Sequence, residues 1–314
     1  MKRKTLVLCI AAAGMAAGAA MPVHADVLAQ SVLAVTDFRF TDTAGATLDV
    51  SQFDTLIFSD SSDISATLNG VTNSVSVGPI NTFGGIDPAQ QCVGGPCPGA
   101  NDYTEIAAAT TDRARGDTLL EGSPLTGTGF AVGANAYTLA EAQLVTGGVA
   151  SAEDNLGLLA TISFSLNESQ AVGVSFDMDN WLIAQLTADS SGTAQASFAW
   201  SITLADGTGN TVFEWSPDGT VNGAITGGVE GADGCDMTRT VGAQVPGQNV
   251  TYNCSGSASA TTNFVLDAGT LYTLSIRHES TADASFQRVP EPGTLGLLGL
   301  GLVGMAAAAR RRKS

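Results

Sequence analysis

Apolar and small polar residues alternate with period two along much of residues 26–289, and this alternation commits the chain to half-buried β-strands. Ser31-Val-Leu-Ala-Val-Thr-Asp-Phe-Arg-Phe40 opens the pattern, and Leu48 to Phe58 holds two further candidate strands. Ile64 to Leu68 and Val71 to Val77 flank Asn69-Gly70, a pair suited to a turn in which both central residues need positive φ, so a hairpin is expected there. Leu158 to Leu166, Ala171 to Phe176 and Trp181 to Thr187 follow at the spacing of a sandwich. Ala196 to Leu204 and Thr211 to Trp215 flank the turn cluster Asp206-Gly-Thr-Gly-Asn210, and Phe264 to Leu266 with Leu271 to Arg277 reads as a late hairpin-like unit. Tyr103 to Arg115 reads as a short helix, with Glu105 early and Arg113 and Arg115 late to suit the macrodipole. Tyr137 to Val145 fits a short helix or a strand, and the Gly-rich segments 84–101 and 221–248 read as long loops. The expected fold is mainly β: an antiparallel, jelly-roll-like β-sandwich with long Gly-rich loops. The alternative, a parallel β-solenoid, needs a regular repeat that the sequence lacks.

Charge narrows the partners. The chain has 314 residues and a formal net charge of −17. Between Asp26 and Val289 six basic residues stand against 29 acids, a formal charge of −23, and that stretch contains no lysine. Such a surface repels phosphate backbones, which excludes nucleic acid, and it is equally unsuited to anionic lipid. The basic residues missing from the middle sit at the two ends. Lys2, Arg3 and Lys4 precede an apolar stretch that closes on Val23-His24-Ala25, so residues 1–25 read as a secretory signal peptide cleaved before Asp26. At the other end, Val289-Pro290-Glu291-Pro292 precedes the apolar run 293–309 and the cluster Arg310-Arg311-Arg312-Lys313. Seventeen residues at about 1.5 Å each span roughly 25 Å, enough for a thin bilayer, with the basic cluster held at the cytoplasmic face as a stop-transfer signal. The span is therefore expected to be a C-terminal transmembrane helix.

Pro290-Glu291-Pro292, the Gly/Leu-rich span and the Arg-rich end together resemble the PEP-CTERM sorting signal of Gram-negative bacteria that make exopolysaccharide. The resemblance covers residues 290–314. It implies processing by exosortase, a membrane transpeptidase-like enzyme, after export through the inner membrane and transient anchoring there by the C-terminal helix. The destination is then the cell surface or the extracellular matrix. It implies sorting and no activity for the exported domain 26–289.

Chemistry-bearing residues are few. Four cysteines remain after residue 25, Cys92, Cys97, Cys235 and Cys254, and an exported chain favours disulfides over a four-Cys zinc site; three connectivities are possible, of which local 92–97 and 235–254 bridges are the simplest. His278 is the sole histidine of the exported domain, which removes multi-His metal sites, and no Gly-x-Ser-x-Gly elbow accompanies it. Asp177-Met-Asp179-Asn180 alternates oxygen donors, so Asp177 and Asp179 are candidates for a structural Ca²⁺, as are the acids Asp60 and Asp63 around Ser61-Ser62; neither stretch matches an EF-hand loop. Glu168 and Glu214 join Asp177 and Asp179 as carboxylates that a secreted hydrolase could pair, although spacing singles out no pair. Trp181, Trp200, Trp215 and Tyr272 are candidates for a sugar-stacking platform, against a core role for Trp200, which alternates with Phe198 and Ile202. The resulting expectation is a non-enzymatic structural or adhesive component associated with exopolysaccharide or biofilm. The alternatives are a calcium-assisted carbohydrate-binding protein and a hydrolase.

Overall fold

The computed structural model describes residues 26–81, 85–104, 111–188 and 190–287. The signal peptide, the motif Pro290-Glu291-Pro292, the span 293–309 and the cluster Arg310 to Lys313 lie outside the described residues. No helix among the described residues is long and apolar enough to cross a membrane.

Among the described residues fifteen strands follow one another: β1 (Val27–Thr41), β2 (Phe53–Leu68), β3 (Val71–Ile80), β4 (Gln91–Gly94), β5 (Arg113–Glu121), β6 (Ala134–Leu144), β7 (Gly148–Leu166), β8 (Gly173–Leu186), β9 (Ser191–Asp206), β10 (Thr211–Trp215), β11 (Ile225–Thr226), β12 (Gly228–Asp233), β13 (Thr238–Ala243), β14 (Asn249–Thr262) and β15 (Tyr272–Gln287). They form two sheets. The first runs β12-β14-β8-β1-β6-β5-β4, the second β11-β10-β9-β15-β7-β2-β3, with β13 paired to β9. All pairing between these strands is antiparallel, which removes the parallel solenoid. The sheets face each other: β6 packs on β7 and β15, β1 on β15 and β9, and β5 on β2 and β7. Between them lies one core cluster in which Phe176, Trp200 and Trp215 meet with ring centroids 4.6–5.7 Å apart.

The Asn69-Gly70 hairpin joins β2 to β3 with φ of +50° and +82°, as that pair requires. Asp206 accepts from the backbone of Thr208 and Asn210 and shapes the turn between β9 and β10. Other expectations need correction. Arg113 and Arg115 lie on strand β5, where the charged residues of Arg-Ala-Arg-Gly-Asp-Thr share one face and the small ones the other, so the helix reading fails for 111–115. Among the described residues the only helical element is a 3₁₀ turn, Val50–Gln52, capped by Asp49, within the region expected to hold two strands. Ala171 to Phe176 and Trp181 to Thr187 merge into the single strand β8, because nothing between them breaks the pleat. The two Gly-rich segments are not wholly loop: they contain β4, β11, β12 and β13, short strands whose glycines hide the alternation. Leu266 bridges Gln170, while Tyr272 opens β15 between β7 and β9, so no late hairpin forms.

Both disulfides join the expected partners, Cys92–Cys97 and Cys235–Cys254. The second joins the β12–β13 connection to β14 across a sequence separation of 19. On the chain-entropy account, closing a loop of that size stabilises the fold by roughly 3 kcal/mol. The Cys235→Ala, Cys254→Ala double variant should therefore lose about that much in guanidinium unfolding. A loss under 1 kcal/mol would show that the loop is already confined in the unfolded chain.

Candidate functional site

The central strand β1 is irregular, and the irregularity builds an interior site. Its ladder to β6 shifts register between Val35 and Phe38 and its ladder to β8 between Thr36 and Arg39, while Leu33 and Ala34, in register, pair with β6 but not with β8. Asp37 sits in this bulge at φ +54°. A strand that leaves backbone groups unpaired inside a core must satisfy them otherwise. Two buried side chains do so. The Asn180 Oδ1 accepts from the Ala34 N–H at 2.8 Å, and His278 Nε2 lies 3.0 Å from the Leu33 carbonyl. A carbonyl only accepts, so Nε2 carries the proton and Nδ1 is left as an acceptor. Burial pushes the His278 imidazole down to about 4, and it stays neutral near neutral pH.

Beside this bulge the sheets leave a cavity of about 70 Å³, walled mainly by apolar side chains including Phe38, Phe58, Ile162 and Trp200, with Asp60 and His278 as its titratable groups. Asp60 is only 6% exposed. Its inward direction follows from β2, where Phe58, Asp60, Ser62 and Ile64 alternate onto the buried face. Burial alone pushes its carboxyl up to about 7.

A second feature lies on the solvent side of the second sheet. The ladder registers place Thr67, Ser151, Asp283, Gln195 and Gly242 in one row across five strands, and Ser65, Glu153, Thr281, Ser197 and Thr240 in the next. Hydroxyls bridge neighbouring strands: Ser197 to Thr281 at 2.6 Å, Thr193 to Ser285 at 2.9 Å and Thr67 to Thr72 at 2.9 Å. The first row floors a groove of about 550 Å³ that also takes in Thr193 and Gln244. Partial burial raises the Asp283 carboxyl within it. The face thus presents hydroxyls and carboxylates at the strand spacing, about 4.8 Å across and 6.7 Å along.

The residues singled out from sequence are dispersed. Asp177 and Asp179 project from the exposed face of β8, in the first sheet, with Ser257 and Ser255 of β14 opposite them. Among the described residues no group of three or more His, Cys, Asp or Glu side chains could hold a metal ion. Glu214 is exposed on β10 in the second sheet and Glu168 in the turn after β7, so neither joins Asp177 and Asp179. Asp63 is exposed while Asp60 is buried, so these two acids also point apart. Trp200, Trp215 and Tyr272 are core residues, and the Trp215 Nε1 donates to the buried Glu230. Trp181, half-buried on the opposite face of the first sheet, donates from Nε1 to Gln30 at 3.4 Å, so no aromatic platform forms. The cavity groups Asp60 and His278 were visible as residues, but their meeting place depends on the β1 bulge.

Residues 288–313 match the PEP-CTERM protein-sorting motif. Neither a curated protein nor a solved structure matches the chain.

Proposed function

We propose that this chain is an exported protein, sorted by exosortase through its C-terminal tail, and that its β domain serves as a non-enzymatic structural or adhesive component at the cell surface or in the extracellular matrix. The observation that carries the reading is the sorting motif at 288–313, which coincides with the Pro290-Glu291-Pro292, apolar-span and basic-end arrangement. The domain supports it in three ways. Its two antiparallel layers carry two local disulfides, bonds that persist in an oxidising compartment outside the cell. Its one histidine is engaged by a backbone carbonyl rather than by a nucleophile. Its second sheet offers rows of hydroxyls and carboxylates, groups that hydrogen-bond a hydroxyl-rich exopolysaccharide.

Replacing Pro290, Glu291 and Pro292 together with alanine should block processing, so that full-length protein accumulates in the membrane fraction of the producing cell while the wild type is found trimmed and outside. Equal trimming and release of the two would defeat the sorting assignment. For the matrix role, wild-type protein should co-sediment with the producer's exopolysaccharide, and replacing Thr281 and Ser197 with valine should reduce retention several-fold. Unchanged retention would remove the hydroxyl face from the reading.

A further inference from the structure

The interior cavity contains a polar group for which the fold supplies no partner. Asp60 is more than nine-tenths buried, lines the cavity, and makes no side-chain hydrogen bond among the described residues. Phe58 beside it and Ile64 beyond Ser62, on the same inward face of β2, show that an apolar residue fits this side of the strand. His278 contributes a second acceptor, Nδ1, because its Nε2 proton is committed to Leu33. Among the described residues the remaining wall is apolar, and Leu120, Gly122, Ala136 and Ile276 in it are half-buried.

The geometry points to a binding site for a short-chain primary ammonium compound, its –NH₃⁺ held by Asp60 with His278 and its alkyl chain against the apolar wall. An ammonium group is a donor three times over and accepts nothing, which suits a wall offering one carboxylate and one imidazole acceptor. A neutral alcohol offers a single donor and leaves the carboxylate uncompensated. Size sets the other limit. A cavity of 150 Å³ accommodates benzene, so about 70 Å³ admits a few heavy atoms and excludes an aromatic ring. The formal charge of −23 on the exported domain draws cations towards its surface.

The full chain, titrated with n-propylammonium chloride in 150 mM salt, should show a saturable rise in melting temperature and a shift of the His278 imidazole resonance. n-Propanol, nearly isosteric and uncharged, should bind at least tenfold more weakly. The Asp60→Asn variant keeps the shape, removes the charge, and should lose the ammonium response. Asp63→Asn, an exposed carboxylate on the same strand, should leave it unchanged. If Asp60→Asn fails to fold, the wild-type His278 signal alone decides, because its ring lies in the core and surface binding cannot reach it. Equal affinity for propanol, equal loss in Asp63→Asn, or an unmoved His278 resonance at tens of millimolar amine would each overturn the assignment.

Discussion

Replacing Glu141 with glutamine is expected to destabilise the domain by about 3–5 kcal/mol, the usual cost of removing one member of a buried ion pair. Glu141 is fully buried on β6, on the face of the first sheet that points away from the other sheet. Arg113 Nε pairs with its Oε1, and Arg115 Nε lies 3.4 Å from its Oε2. Arg115 is also fully buried, and Arg113 nearly so. The cluster sits beneath the segment that carries the Cys92–Cys97 disulfide: Arg113 donates to the Pro96 carbonyl, Asp117 accepts from the Asn101 N–H at 2.7 Å, and Tyr103 stacks on Tyr137. Without the glutamate charge, the buried Arg113 loses its paired carboxylate and Arg115 keeps only the attraction of Asp117 and Asp102. For a domain of this size the loss corresponds to a fall of roughly 10 °C in melting temperature. Urea unfolding of wild type and variant checks it, and a difference below 1 kcal/mol would mean that the arginines are hydrated. The triple replacement Arg113→Met, Arg115→Met, Glu141→Leu should recover most of the loss, since apolar residues of similar volume replace buried ion pairs at little cost.

That cluster also shows why part of the fold was legible from sequence and part was not. Where one face of a strand meets water, as in β2, β9 and β15, period-two alternation survives, and the Asn69-Gly70 turn could be read directly. The pairing of the cysteines followed from their nearness in sequence and the oxidising destination. In β5 and β6 the signal fails because both faces are covered. From Arg113 to Thr118 and from Thr138 to Leu144 every residue is buried, so charged residues occupy positions that alternation assigns to solvent. The same arginines, late in Tyr103 to Arg115, imitated the basic end of a helix. Alternation could place His278 on either face of its strand and gave Asp60 no special role, and the cavity that both line lies beside the β1 bulge around Asp37, which depends on how three strands meet. The sorting tail is the opposite case: its meaning lies in a linear arrangement of residues, readable without a fold.

Asp60 and His278 should give the stability of the domain opposing dependences on pH, and single replacements should separate them. Asp60 titrates near 7 in the fold against 3.8 when unperturbed, so the native state holds a proton that the unfolded chain has released. Stability from this group is fully present below about pH 4 and is lost as pH rises through 7. His278 titrates near 4 in the fold against 6.5. Here the unfolded chain takes up the proton first, so stability is full above 6.5 and declines as pH falls towards 4. Asp117 and Asp154, both raised by burial, add to the sense of Asp60. The wild type should therefore become more stable on acidification from pH 8 to 5, with His278 holding back the gain below 6.5. In Asp60→Asn the change between pH 5 and 7 should shrink by about 2 kcal/mol, somewhat less than two pH units of one proton's linkage because the group is half titrated at pH 7. In His278→Gln, whose amide can still donate to Leu33, the gain between pH 6.5 and 5 should increase by about 2 kcal/mol. Melting curves at half-unit pH steps compare the shapes of these profiles, so an unrelated offset in stability cancels. Profiles parallel to the wild type in both variants would mean that neither group is shielded from water, and the cavity between the sheets would then have to be open and wet.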